Sequence, residues 1–322
     1  MSKFIIINRV VFEIFLPDEL IPTLYSHMYI ENFIPTNYED LIRIIVIKKD
    51  QIHYTDEDFV LNQEAKYTSE GLYQEIHNLG VFIYNKIEKQ VTVYFEINES
   101  YKHNPYTTII DTITQFILLI LLDHEMMPIH ASIVLPDNLP EYGVISFGNS
   151  GAGKSTLQMA LHEKGCLLFA DDGGLVTEDG YIHSNGLKKL AYTETTANII
   201  NTAYNQRYHI SSERKTIYEI EKQRDQPVIP LVLLFPTKVE TYEKPLDKIS
   251  PAETLSKLMQ YHVSPNYPGK IKMLYWNRFN QLVRKCSAYG YKWNGMESVD
   301  VYCHNIDLLY HIIEMETSKH EK

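Results

Sequence analysis

The segment GNSGAGKS, from Gly148 to Ser155, constrains this chain more than any other. It satisfies the pattern GxxxxGK[ST] in full. An apolar, β-branched run (GVISFG) precedes it, and the helical pattern KSTLQMALHEKG follows, with Gly165 in the position of a C-terminal cap. Strand, glycine-rich turn and helix in that order are the core of an α/β nucleotide-binding unit. The glycines admit torsions closed to other residues. Successive N–H groups of Gly148, Asn149, Ser150, Gly151, Ala152 and Gly153 are therefore expected to converge on one concavity. The helix adds its unpaired amides, among them those of Ser155 and Thr156, and the positive end of its dipole. Lys154 supplies a mobile charge for β and γ phosphates, and the Ser155 hydroxyl can coordinate magnesium. ATP and Mg2+ are the expected ligands.

A phosphate loop alone does not separate a motor, a switch and a kinase, but the next strand narrows the choice. CLLFADD ends in Asp171 and Asp172. Strand ends beside such a loop point toward a terminal phosphate, where adjacent carboxylates repel and one can take a proton. His130 lies on the expected strand IHASIV, ahead of the loop. A lone histidine is more often structural than catalytic.

Length and composition bound the rest. The 322 residues, 44% apolar, suffice for two domains. Residues 1–100 read as a strand-rich N-terminal domain, through KFIIINRVVFEIFL, LIRIIVIKK and VTVYFEI. Residues 101–322 read as the domain of the phosphate loop, beginning with the helical pattern NPYTTIIDTITQFILLILLDHE. Further on, VIPLVLLFP reads as a strand, and PAETLSKLMQ and HNIDLLYHIIEME as helices. The net charge of −11 gives no electrostatic reason to hold nucleic acid or an anionic membrane. The basic stretch Arg207 to Arg224 is diluted by Glu213, Glu219 and Glu221 and reads as a solvated helix face. Cys166, Cys286 and Cys303 lie far apart, without metal-site spacing, which fits reduced thiols and a cytoplasmic location. ITQFILLILL falls short of the ~20 residues of a membrane crossing and is assigned to a soluble core.

IHAS, GNSGAGKS and LLFADD together resemble the C-terminal kinase domain of the HPr kinase/phosphorylase family. The likeness covers roughly residues 128–180. It implies a mixed α/β fold with a core related to phosphoenolpyruvate carboxykinases. It further implies that Lys154 and the loop amides bind the β and γ phosphates and that Ser155 binds magnesium. Asp172 would take the proton from an incoming hydroxyl, with Asp171 and His130 positioning metal, water and base. Glu194 stands where a further metal-binding glutamate is implied, and Arg207 or Arg214 is the candidate for an arginine near the transferred phosphate. Residues 230–259, PLVLLFPTKVETYEKPLDKISPAETLSKLM, are similar to a subgroup of this family that includes serine kinases of lasso-peptide precursors. The chain departs from HPr kinases in reading GKST where GKSE is common, and in lacking their glycine- and arginine-rich signature after the acid pair. HPr as substrate, and phosphorolysis, are therefore not implied.

The expected function is an ATP- and Mg2+-dependent kinase for a serine of a peptide or small protein. A small-molecule hydroxyl acceptor and a non-catalytic nucleotide-binding module stay open. Relatives with this core commonly form oligomers, so a homo-oligomer is also expected.

Overall fold

Apolar residues that alternate along short N-terminal segments pair into a sheet. The computed structural model describes residues 3–32, 36, 38–49, 66–67, 70–76, 78–97, 104–171, 173–185, 189–193, 215–219, 226–264, 267–294 and 298–319. The chain divides into two compact units, Met1–His124 and Glu125–Lys322.

In the first unit KFIIINRVVFEIFL is a hairpin, β1 (Lys3–Ile7) and β2 (Val10–Phe15). It turns at Asn8, whose φ of 54° is a conformation that asparagine tolerates well. The short helix α1 (Ile21–His27) crosses over to β3 (Asp40–Lys48), which lies parallel to β2. The strands β4 (Lys66–Tyr67), β5 (Gly71–Ile76), β6 (Gly80–Asn85) and β7 (Gln90–Phe95) complete a seven-stranded sheet ordered β1-β2-β3-β7-β6-β5-β4. Helix α2 (Pro105–Leu121) opens on Asn104, whose side chain accepts hydrogen bonds from the Tyr106 and Thr107 amides. Phe116 of α2 meets Phe82 of β6 at 5.9 Å between ring centres. The compositional change near residue 100 thus marks the start of α2, while the division between units falls after His124.

With the turn that follows it, α2 makes Pro105–His124, 20 residues long enough and apolar enough to cross a membrane. This corrects the expectation that the segment is too short. Its apolar face is nevertheless spent inside the protein, where Ile109, Ile110, Ile113, Phe116, Ile117, Ile120 and Leu121 are buried.

The second unit is mixed α/β. Its first strands are β8 (Met127–Ile129), β9 (Ala131–Leu135) and β10 (Tyr142–Phe147), followed by α3 (Lys154–Glu163) and β11 (Leu167–Ala170). Then come β12 (Gly174–Val176), β13 (Ile182–Ser184), β14 (Lys189–Thr193), β15 (Lys215–Glu219), β16 (Ile229–Lys238) and β17 (Leu246–Lys248). The helices α4 (Pro251–His262) and α5 (Gly269–Lys285), strand β18 (Ser287–Trp293) and helix α6 (Val299–Thr317) close the chain. A six-stranded sheet runs β11-β9-β10-β16-β18-β17, and β13-β12-β8 form a smaller one. β14 and β15 pair antiparallel, so Lys215–Glu219 is a strand and not part of the solvated helix face expected over Arg207 to Arg224. KTIYE sets three consecutive β-branched or aromatic residues, Thr216, Ile217 and Tyr218, between two charges, and these residue types favour an extended chain.

Strands β10, β16 and β18 are parallel. β9 is antiparallel to both β10 and β11, so β11 runs in the same direction as β10. The carboxyl ends of β10, β11, β16 and β18 therefore share one edge of the sheet, and the start of β9 lies there too. In open α/β sheets this is the edge where ligands bind. α3 packs over β9, β10 and β11, burying Leu157, Met159, Ala160 and Leu161 against Val134, Val144 and Leu168.

Candidate functional site

The register of the sheet decides what meets at that edge. Phe147, the last residue of β10, stands opposite Ala131 of β9. Gly148 and His130 are the next residues outward on the two chains. IHASIV, expected as one strand, breaks at His130: β8 pairs with β12, while β9 pairs with β10 and β11. The histidine sits at this change of sheet and is exposed.

From Gly148 the chain turns through the glycine-rich loop. Asn149, Ser150 and Gly151 are exposed, and Gly151 has φ of +79° with open space where a side chain would be. The Ala152 amide closes a turn onto the Asn149 carbonyl at 3.1 Å. Gly153, φ +104°, caps α3, whose first rung is Leu157 N–H to the Gly153 carbonyl at 2.9 Å. The amides of Lys154, Ser155 and Thr156 precede that rung, at the positive end of the helix. At the far end Gly165, φ +102°, reverses the chain, and the Cys166 amide donates to the Leu161 carbonyl at 3.0 Å.

Lys154 is buried, at 7% exposure, because its chain folds back under the loop. Its Nζ donates to the Gly148 carbonyl at 2.8 Å and lies 3.0 Å from His130 Nε2. An ammonium group has no lone pair, so toward a charged Lys154 the His130 Nε2 can only accept. Asp171 follows β11 and is 5% exposed, which is not a solvated turn aspartate. Its Oδ1 accepts from the Ser132 hydroxyl at 2.8 Å and from the Ser155 hydroxyl at 3.4 Å. Ser155 immediately follows Lys154, so one helical turn brings an ammonium group and a hydroxyl-bound carboxylate to the same edge. Asp172, Glu194, Arg207 and Arg214 lie outside the described residues.

Four side chains not singled out by the sequence reading support this arrangement. Ser132 is one. Gln158 of α3 is buried, and its Nε2 donates to the Ile133 carbonyl at 3.2 Å and the Ala170 carbonyl at 2.8 Å. It bridges β9 and β11 where their register shifts, just before Asp171. Trp293, at the end of β18, donates its indole N–H to the Ala152 carbonyl at 2.8 Å. A Cβ on Gly153 would fall 2.6 Å from that indole nitrogen. His262, at the end of α4, lies edge-on to Phe147 at 5.4 Å and to Phe279 at 5.3 Å, with Nδ1 3.0 Å from the Leu258 carbonyl. The residue is partly exposed, yet its Nε2 is shut off from solvent. Burial drives the His262 pKa from 6.5 down to about 4; the hydrogen bond with the Leu258 carbonyl opposes the shift, and the charge of Lys154 adds to it.

Among the described residues no group of three or more His, Cys, Asp or Glu is placed to hold a metal. The oxygen donors at the edge are Asp171 and Ser155, which suit a hard cation such as magnesium. None of the three cysteines is in a disulfide, and burial raises the Cys166 pKa to about 12.

The second unit is thus a mixed α/β domain with a glycine-rich loop, a buried lysine and a buried carboxylate at one sheet edge. No family model and no curated protein matches the chain. Among solved structures it is similar to the HPr(Ser) kinase/phosphatase from Coxiella burnetii, at 13% sequence identity and a TM-score of 0.27. The likeness covers 61% of this chain and 97% of that one. So slight a likeness carries neither a residue's role nor a substrate across.

Proposed function

We propose that the chain is an ATP- and Mg2+-dependent phosphotransferase that delivers the γ-phosphoryl group to a serine hydroxyl of a peptide or small protein. One observation carries this reading: Lys154 Nζ, the Ser155 hydroxyl and the Asp171 carboxylate converge beside a glycine-rich loop, with Ser155 Oγ 3.4 Å from Asp171 Oδ1. In this reading the loop from Gly148 to Gly153 and the first amides of α3, to Thr156, cradle the phosphates. Lys154 exchanges its contact with the Gly148 carbonyl for phosphate oxygens. Asp171 and Ser155 would hold the magnesium, with Glu194 as a further ligand. Bound there, the ion neutralises charge on the β and γ phosphates.

Asp172 is assigned the base. It takes the proton of the acceptor hydroxyl as that oxygen bonds to the γ-phosphorus, and the bond to the β–γ bridging oxygen breaks to release ADP. His130, 3.0 Å from Lys154, orients the ammonium group. Cysteines outside any disulfide fit a reducing, cytoplasmic compartment that also supplies ATP.

Transfer of label from γ-labelled ATP to serine-containing peptides tests the proposal. Asp172→Asn should lower transfer by about 10²- to 10⁴-fold while ATP binding persists. Lys154→Met should remove both. ATP bound by the wild-type protein without any labelled product would refute transfer and leave a binding module.

A further inference from the structure

Between Glu253 and Glu297 the chain carries no Asp or Glu, although it has 41 acidic residues against 30 Lys and Arg overall. α5 lies in the middle of this stretch and bears Lys270, Lys272, Arg278, Arg284 and Lys285. Its two sides differ. On the inner side Tyr275 is buried and its hydroxyl donates to the Pro128 carbonyl at 3.0 Å, two residues before His130. Phe279 is buried there too, against His262. Arg278 is 5% exposed and pairs with Glu125 at 3.6 Å. On the outer side Lys270, Met273, Asn277 and Arg284 are exposed and recur at helical spacing, one stripe flanked by Trp276. Met273 is 58% exposed and Trp276 47%, so the middle of the stripe is apolar and its ends are cationic.

We propose that this outer face of α5 docks an acidic polypeptide segment of the phosphoryl acceptor. The inference rests on the phosphotransfer reading and names its substrate class. On a chain of net charge −11, a cationic stripe within a stretch that holds no acid is a place where an acidic partner meets attraction. Trp and Met at the centre supply the apolar anchors typical of a protein interface. A membrane surface fits less well, because a helix lying on a bilayer turns its main apolar face outward, and that of α5 faces the sheet. Nucleic acid fits less well because phosphate-tracking surfaces gather many cations, and here they lie apart. Lys270 and Arg284 are separated by roughly 21 Å along the helix axis at 1.5 Å per residue. An extended peptide covers that distance in about six residues. The helix is about 10 Å across, so at least about three residues should separate the serine from the acidic segment.

The test uses the full-length protein and two fluorescent serine peptides. One carries Asp and Glu from about three residues beyond the serine; the other carries Asn and Gln there. Anisotropy should show the acidic peptide bound about tenfold more tightly, with the gap closing as salt is raised. The double variants Lys270→Glu/Arg284→Glu and Met273→Ser/Trp276→Ser should each weaken it at least about fivefold, with ATP binding and Tm unchanged. Equal binding of the two peptides, or acidic-peptide binding that survives both double variants, would overturn the proposal. So would binding of an oligonucleotide or phosphatidylserine vesicles, lost in the same variants, without binding of the acidic peptide. If the acidic peptide binds at α5 but is never phosphorylated, the transfer reading falls and the docking surface stands. If serine peptides are phosphorylated equally well whatever flanks them, the reverse holds.

Discussion

Gly153 is held by two independent constraints. Its φ of +104° is strained for any side chain, and the Trp293 indole occupies the space a Cβ would need. Gly153→Ala therefore costs backbone strain, of order 1–3 kcal/mol, and also displaces the indole from the Ala152 carbonyl. The loop takes both effects, so nucleotide affinity should fall more than thermal stability. Trp293→Phe leaves the torsion of Gly153 untouched and removes the N–H donor together with one of the two fused rings. A hydrogen bond of this kind is worth about 1 kcal/mol, so KM for ATP should rise several-fold, with kcat changed less. Steady-state kinetics read alongside thermal melts would check this; an unchanged KM in Trp293→Phe would show that the contact does not hold the loop. Nothing in the sequence marks Trp293 as a neighbour of Gly153. The loop's glycines, by contrast, are legible, because the pattern Gly-x-x-x-x-Gly-Lys states which torsions the backbone needs. Asp171 was legible for a similar reason, lying at the end of an apolar strand. Its partners Ser132 and Gln158 were not, since strand pairing and helix packing bring them there and no spacing rule does.

Helix α4 ends on His262, whose ring lies between Phe147 and Phe279. Below about pH 6.5 an unfolded chain protonates this ring, while the folded protein resists down to about pH 4. The unfolded state then binds more protons, so stability is complete above 6.5, falls as pH drops toward 4, and levels off below that. The loss across this window is on the order of 3 kcal/mol. His262→Phe keeps an aromatic ring against its neighbours and removes the titration. Urea unfolding at pH 7 and pH 4.5 should show a smaller drop in stability for the variant; equal drops would mean that the ring does not resist protonation. At this scale sequence reading did well where an apolar run or a helical pattern ran unbroken, as in β10, α3 and β16. It joined β8 to β9 because IHASIV carries no local sign of a change of sheet; the break exists only in what each half pairs with. It gave a helical face to the segment holding Lys215–Glu219, where charge count outweighed the strand preference of the consecutive Thr216, Ile217 and Tyr218. α5 was passed over because its exposed Met273 and Trp276 blur the apolar stripe that marks an amphipathic helix.

A chain of net charge −11 must gather positive potential locally if it is to hold a triphosphate, and the second unit does so at the carboxyl edge of its six-stranded sheet. Lys154, the helix end of α3 and the loop amides all lie there, within one continuous stretch of chain. Binding should therefore stabilise a connected region and affect the outermost strand of the same sheet much less. At a hundredfold excess over Kd, nucleotide adds about 2.7 kcal/mol to the stability of whatever must unfold to release it. Hydrogen exchange with and without Mg2+ and ATP reads this directly. Amides from Asn149 to Leu157 should slow by up to about a hundredfold, while those of β17, the outermost strand beyond β16 and β18, should slow much less. The same experiment on Lys154→Met should show no protection, and on Asp172→Asn protection close to that of the wild type. Slowing confined to β17, or no slowing at all with ATP in excess, would take the nucleotide away from the loop. The acid pair, the docking face of α5 and the role of Trp293 would then need a different ligand to serve.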